Sequence, residues 1–189
     1  MSSKIIFITG GARSGKSSFA LNEASKIKGQ KAYIATAEAL DSEMKKRIER
    51  HKKGRGNDWD TFEEPIKIAD LIKTVGDKYK VVLVDCLTLW LSNILTRAQN
   101  TEHRTQIIED NIQRLIDVSK DFSVCSLGSG FCNLYVVSNE VGMGIVPDNK
   151  LAREFRDWAG FLNQKIAETA DEVYLVTAGI PMRIKERKQ

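Results

Sequence analysis

"KIIFITGGARSGKSSFA", Lys4 to Ala20, decides how this chain is read. Ile5 to Ile8 form a short apolar run that ends in glycine, and beyond the glycines Phe19, Ala20, Ala24 and Ile27 recur at helical spacing. The order is strand, loop, helix. Inside it, Gly10, Gly15, Lys16 and Ser17 have the spacing G-x-x-x-x-G-K-[ST], in the strand-to-helix context that such a motif requires. The glycines let the backbone curl so that several N–H groups face phosphate oxygens, and the following helix adds the positive end of its dipole. Lys16 then reaches the β and γ phosphates of a nucleotide, and Ser17 can ligate magnesium.

Working outward, "KAYIATA", "KYKVVLVDC", "NLYVVSNE" and "DEVYLVTAG" are further strand candidates. They are β-branched and nearly continuous, as strands buried on both faces of a parallel sheet tend to be. Helical stretches lie between them. The clearest is "DNKLAREFRDWAGFLNQKIAETA", where Leu151, Phe155, Trp158, Leu162 and Ile166 share a face and Asp148 is placed to cap the N-terminus. Alternating strands and helices predict an α/β fold, one P-loop NTPase-like domain over residues 1–189 with a mainly parallel sheet flanked by helices. "DFSVCSLGSGFCN" reads as a surface loop before a strand.

A hydrophobic fraction of 42% with 29% charged residues fits a globular chain able to bury a core. The net charge of +4 is too mild for a dedicated nucleic-acid binder, so no nucleic-acid partner is expected. The apolar run at the start is too short for a secretory signal or a membrane span, which predicts a cytoplasmic protein. Cys86, Cys125 and Cys132 lack the close pairing of a zinc site and read as buried or loop thiols.

A magnesium site needs a carboxylate wall opposite the loop, and "VVLVDC" supplies Asp85 at the end of an apolar strand, where a Walker B acid sits. His51 lies in "RIERHKKGRG", and between Lys45 and Arg55 there are seven Lys or Arg residues and one acid, Glu49. Histidine attacks phosphorus only when its imidazole is neutral, and neighbouring cations disfavour the protonated ring. The stretch therefore has two readings, a solvated helix face or a nucleophile set where phosphates gather. His103, among polar residues, reads as exposed. "DWDTFEEP" offers Trp59, Thr61, Glu63 and Glu64 either to a nucleoside or as a capped loop entering a helix.

In this order, "FITGGARSGKSSFA", "YIATAEALDSEMKKRIERHKKGR", "WDTFEEP", "VLVDCLTLWLSNIL" and "VVSNEVGMGIVPDNKLAREFRDWAGFLNQKIAETADEVYLVTAGIP" resemble the bifunctional adenosylcobinamide kinase and adenosylcobinamide-phosphate guanylyltransferase family. The resemblance runs through nearly the whole chain, and "NEVGMGIVP" with "RIERHK" is its most specific part. It implies that a nucleoside triphosphate, ATP or GTP, phosphorylates adenosylcobinamide, and that GMP from GTP is then joined to adenosylcobinamide phosphate with release of pyrophosphate. It implies His51 as the carrier of the guanylyl group, with Lys16 and magnesium held by Ser17 and Asp85 stabilising the leaving pyrophosphate.

The same resemblance implies nucleotide contacts at Gly10, Gly11, Ala12, Arg13, Ser14, Gly15, Lys16 and Ser17, at Ala35, Thr36 and Ala37, at Lys52, Lys53, Gly54 and Arg55, and at Glu63 and Asp85. It also implies a homo-oligomer. Within the glycine-rich "NEVGMGIVP", Asn139 and Glu140 are candidate substrate or subunit contacts. Two rivals stand beside it: a P-loop small-molecule kinase without covalent histidine chemistry, and a nucleotide-binding switch. The chain departs from the family pattern at Gly56, where relatives often carry proline, and in a longer stretch from Ser123 to Cys132.

Overall fold

The computed structural model describes residues 3–38, 56, 58–99, 101–124 and 132–186. In chain order the elements are β1 (Ile5–Thr9), α1 (Lys16–Ser25), β2 (Lys31–Ala35), β3 (Trp59–Glu63), α2 (Ile68–Val75) and β4 (Val81–Asp85). They continue with α3 (Leu87–Arg97), α4 (Arg104–Val124), β5 (Asn133–Val137), α5 (Lys150–Thr169), β6 (Glu172–Thr177) and β7 (Ile180–Glu186). The strands form one seven-stranded sheet in the order β3-β2-β4-β5-β1-β6-β7. All neighbours pair parallel except β6 and β7. The expected mainly parallel α/β fold is what the chain adopts.

The continuous apolar strands are explained by burial on both faces. Ile5, Phe7, Ile34, Val82, Val84, Leu134 and Val136 face a core built with Leu87, Trp90 and Leu91 of α3, Ile108 and Ile112 of α4, and Leu162 and Ile166 of α5. Their alternating neighbours Ile6, Ile8, Tyr33, Leu83, Tyr135 and Val137 pack with Ala20 and Ala24 of α1 on the other face. Small alanines let α1 lie close to the sheet, and α1 opens at the phosphate loop.

Four readings need correction. "DWDTFEEP" contains the edge strand β3, so Trp59 stands against Tyr33, with ring centroids 6.2 Å apart, and not in a loop. Beyond "DEVYLVTAG" the chain turns through Ala178 (φ 50) and Gly179 (φ 81) into a seventh strand, β7. Two left-handed residues are what a two-residue hairpin between right-twisted strands requires. The start of the presumed loop "DFSVCSLGSGFCN" continues α4 as far as Val124, and residues 125–131 lie outside the described residues. Finally, α5 is capped by Asn149, whose side chain accepts from the N–H groups of Leu151 and Ala152; Asp148 lies one residue too early. On α5, Leu162 and Ile166 are buried as expected, whereas Leu151 remains exposed.

Leu83 is at the centre of the sheet with no exposed surface. Leu83→Ala is expected to cost about 2–5 kcal/mol of stability, read as a lowered urea midpoint with an unchanged slope.

Candidate active site

Parallel strands bring their C-terminal ends to one edge of the sheet, and those predicted site residues that are described lie along it. Register places Glu63 beside Ala35, Ala35 beside Asp85 and Asp85 beside Val137, in one row that continues to Ile8. The phosphate loop leaves the sheet just after Ile8, at Gly10. From β1 to β4 is two strand steps, about 10 Å at the usual spacing, with β5 between them.

The loop from Gly10 to Ser17 has the curled backbone that its glycines suggested. Gly10 (φ 150), Arg13 (φ 57) and Gly15 (φ 97) are all in positive φ, and the Ser14 N–H bonds to the Gly11 carbonyl at 3.2 Å. Gly15 is the N-cap of α1, so the loop's N–H groups and the helix N-terminus form one anion-binding concavity. Lys16 is buried and folds back over its own loop, donating to the Gly11 carbonyl at 2.6 Å. The β6–β7 hairpin supports the loop from outside: the Gly179 N–H bonds to the Ser14 carbonyl at 2.8 Å.

Asp85 ends β4, and one carboxylate oxygen accepts the Tyr33 hydroxyl at 2.8 Å. The other makes no hydrogen bond among the described residues. Ser17 and Asp85 are hard oxygen donors, the kind magnesium takes. Among the described residues no group of three or more His, Cys, Asp or Glu could hold a metal alone. The donor set thus fits an ion carried mainly by phosphate oxygens rather than one caged by protein.

At the exits of β2 and β3 the predicted contacts divide. Thr36 is fully buried, and its hydroxyl both donates to the Cys86 carbonyl at 2.7 Å and accepts the Cys86 N–H at 2.8 Å. It ties β2 to β4, while Ala37 beside it is partly open. Glu64 accepts the N–H groups of Ile66 and Lys67 at 2.9 and 2.8 Å and so holds the entry to α2, leaving exposed Glu63 as the acid at the rim. His51, Lys52, Lys53, Gly54 and Arg55 lie outside the described residues. Gly56 is described and exposed, and a Cβ there would meet nothing within 4 Å. His103 is exposed, as read.

Sequence reasoning missed Tyr33, which orients Asp85, and the Val176 to Gly179 turn that backs the phosphate loop. The alternation of Ile180, Met182 and Ile184 after Ala178-Gly179 was a usable signal for the hairpin. Tyr33 carried none, because a tyrosine within an apolar strand looks like core.

Cys86 and Cys132 are buried thiols, and Cys125 lies outside the described residues. Burial, joined by the charge of Asp85, pushes Cys86 up to about 11, and burial pushes Cys132 up to about 12. Thiolate is the reactive form. At pH 8 a disulfide reagent should therefore titrate at most one of the three thiols in the folded protein and all three in urea.

Comparison with known proteins places these features in a family. A family model described as cobinamide kinase / cobinamide phosphate guanyltransferase matches residues 6–184. The chain is 40% identical over 178 residues to a bifunctional adenosylcobalamin biosynthesis protein of Pseudomonas aeruginosa, covering 94% of this chain and 95% of that one. It is 38% identical over 184 residues to a protein of the same description in Escherichia coli, covering 96% and 99%. Among solved structures it is similar to a type III secretion ATPase, with TM-score 0.59 at 7% identity over 93% of this chain and 51% of that one. It is also similar to an ATP synthase subunit from Nanoarchaeum equitans, with TM-score 0.54 at 12% identity over 92% and 45%. These two show likeness of fold alone.

A Cβ on Gly10 would sit 2.2 Å from the Val176 carbonyl oxygen. Gly10→Ala should push the loop off the hairpin and weaken nucleotide binding by about tenfold or more, a loss near 1.4 kcal/mol at least, measured by titration calorimetry.

Proposed function

This chain belongs to the cobinamide kinase / cobinamide phosphate guanyltransferase family, and from that premise we propose that one domain carries both activities, with His51 holding the guanylyl group between them. The enzyme is a bifunctional transferase of cobalamin synthesis. Its substrates are adenosylcobinamide, adenosylcobinamide phosphate and nucleoside triphosphates. The observation that carries the reading of the site is the joint placement of the phosphate loop, Asp85 and Glu63 on one edge of the sheet.

In the kinase step the γ phosphoryl group of ATP or GTP passes to the aminopropanol hydroxyl. Lys16, freed from the Gly11 carbonyl, donates to the β and γ phosphates, and the loop N–H groups hold the remaining oxygens. Magnesium held by Ser17 and Asp85 would neutralise charge on the phosphate oxygens. Tyr33 keeps the Asp85 carboxylate in one orientation.

In the guanylyltransferase step a neutral His51 nitrogen attacks the α phosphorus of GTP. The N–P bond forms, the bond to pyrophosphate breaks, and pyrophosphate leaves with the electron pair. A phosphate oxygen of adenosylcobinamide phosphate then attacks the same phosphorus and His51 departs, giving adenosylcobinamide-GDP. Lys52, Lys53 and Arg55, next to His51 in the sequence, supply positive charge that draws the triphosphate in. The protein acts as a cytoplasmic homo-oligomer. Exposed Met143, Ile145 (96%) and Val146 in the glycine-rich loop and Ile180, Met182 and Ile184 on β7 support association. No described helix is long and apolar enough to cross a membrane.

With α-labelled GTP and magnesium, wild-type protein should take up acid-labile, base-stable label, and His51→Ala should take up none while still phosphorylating adenosylcobinamide. Equal label on both proteins would sink the carrier role. Lys16→Ala should lower both rates by about 10²-fold or more, measured as adenosylcobinamide phosphate formed and label incorporated.

A further inference from the structure

The corner where the chain leaves β5 is held unusually. β5 lies between β1 and β4, so Ser138 to Glu140 emerge between the phosphate loop, which follows β1, and Asp85, which ends β4. Three successive N–H groups are each engaged: Ser138 donates to the Ile8 carbonyl at 3.0 Å, Asn139 to the Thr88 hydroxyl at 2.7 Å, and Glu140 to the Gly10 carbonyl at 2.9 Å. The Asn139 carbonyl accepts the Asn163 side-chain amide at 3.1 Å. Both backbone groups of Asn139 are thus bonded by side chains, one from the first turn of α3 and one from the middle of α5.

Those side chains are buried. Thr88 and Asn163 are each 8% exposed, and Ser138, whose hydroxyl is 3.3 Å from that of Thr88, is 1% exposed. A hydroxyl accepts twice and donates once, so Thr88 can take the Asn139 N–H and pass its own proton to Ser138. Asn163 makes its bond at a cost. Its carbonyl oxygen has no partner among the described residues, and neither has the buried hydroxyl of Thr9 at the end of β1. Leucine would fill the same space without stranding an acceptor, so packing alone does not account for an amide there.

Gly10 receives the last of these bonds. The corner is therefore a rigid spacer between the first glycine of the phosphate loop and the strand that ends in Asp85. Asn139 sits half-buried at its apex. We propose that Thr88 and Asn163 are positioning residues for both transfer reactions, fixing the Ser138–Glu140 corner, and through it the phosphate loop, in register with Asp85. The proposal rests on the reading that Lys16 and Asp85 flank the reacting phosphates.

Full-length Thr88→Val, Thr88→Ser and Asn163→Leu should be assayed for both activities, with melting temperatures recorded and Lys16→Ala run alongside. Thr88→Val and Asn163→Leu are expected to lower kcat at least about tenfold in both reactions with KM for adenosylcobinamide within about threefold, because small misplacements near reacting atoms are costly. Thr88→Ser, which keeps the hydroxyl, should return kcat to within about twofold of wild type. If Thr88→Ser is as impaired as Thr88→Val, or if Asn163→Leu melts lower yet keeps its kcat, the positioning role is wrong. Should Thr88→Val fail to fold, the serine and leucine variants decide alone. Full activity in Lys16→Ala would overturn the underlying reading of the site instead.

Discussion

Six strands running the same way impose the constraint on which everything else depends. Parallel pairing sends every strand exit to one edge and every return crossover along a face of the sheet. Strands between two helical layers must be apolar on both sides, which is why Ile5 to Ile8 and Val81 to Val84 are unbroken. Chemistry then has one place to go, the exit edge, and Lys16, Asp85, Ala37 and Glu63 meet there although 68 residues lie between Lys16 and Asp85 in the chain. The antiparallel β7 adds no exit to this edge. Its turn instead backs the phosphate loop, with the Val176 carbonyl against Gly10 and Gly179 against Gly15.

What could be read from the residues follows from the same constraint. The phosphate loop was legible because its spacing is tied to a mechanism, and β2, β4 and β5 because burial on both faces leaves an unbroken apolar signature, which half-buried β6 shares. β3 was not: Trp59 to Glu63 is an edge strand, half polar, and its pattern does not separate it from a loop. β7 carries Pro181, which an edge strand tolerates but which argues against a strand in isolation. At the cap of α5, Asp148 and Asn149 are chemically equal candidates, and only backbone geometry chooses between them. Thr88, Ser138 and Asn163 gave no signal, since a hydroxyl or amide inside an apolar segment acquires its meaning from a partner distant in sequence. His51 rose above an ordinary charged stretch only through the family resemblance.

Helix α3 does for the far side of the edge what the β6–β7 turn does for the near side. Trp90, Asn93 and Arg97 fall on one stripe of the helix. Trp90 donates to the Ile66 carbonyl at 2.7 Å, Asn93 to the Thr36 and Pro65 carbonyls at 2.9 and 3.2 Å, and Arg97 pairs with Glu38 at 2.6 Å. The ion pair is half exposed and adds little stability by itself. Asn93 matters more, because it joins the exits of β2 and β3 through backbone carbonyls that have no sheet partner. In sequence the stretch that carries His51 follows Glu38, and Asn93 and Arg97 fix Thr36 and Glu38 relative to α3.

Charge completes the picture. Outside Lys45 to Arg55 the chain has 22 Lys and Arg against 24 Asp and Glu, so the whole of its net positive charge resides in that one stretch. At physiological salt such a cluster is felt over roughly 8 Å, which makes it a local device and not a steering field for the whole molecule. The phosphate loop, by contrast, offers N–H groups, a helix N-terminus and one lysine. The chain thus has two separate sources of positive potential, a cradle built into the sheet edge and a cationic stretch around His51 in the sequence. In the proposed mechanism, attack at the α phosphorus calls for a nucleophile outside the cradle, and His51 lies in the one stretch that carries the chain's net positive charge.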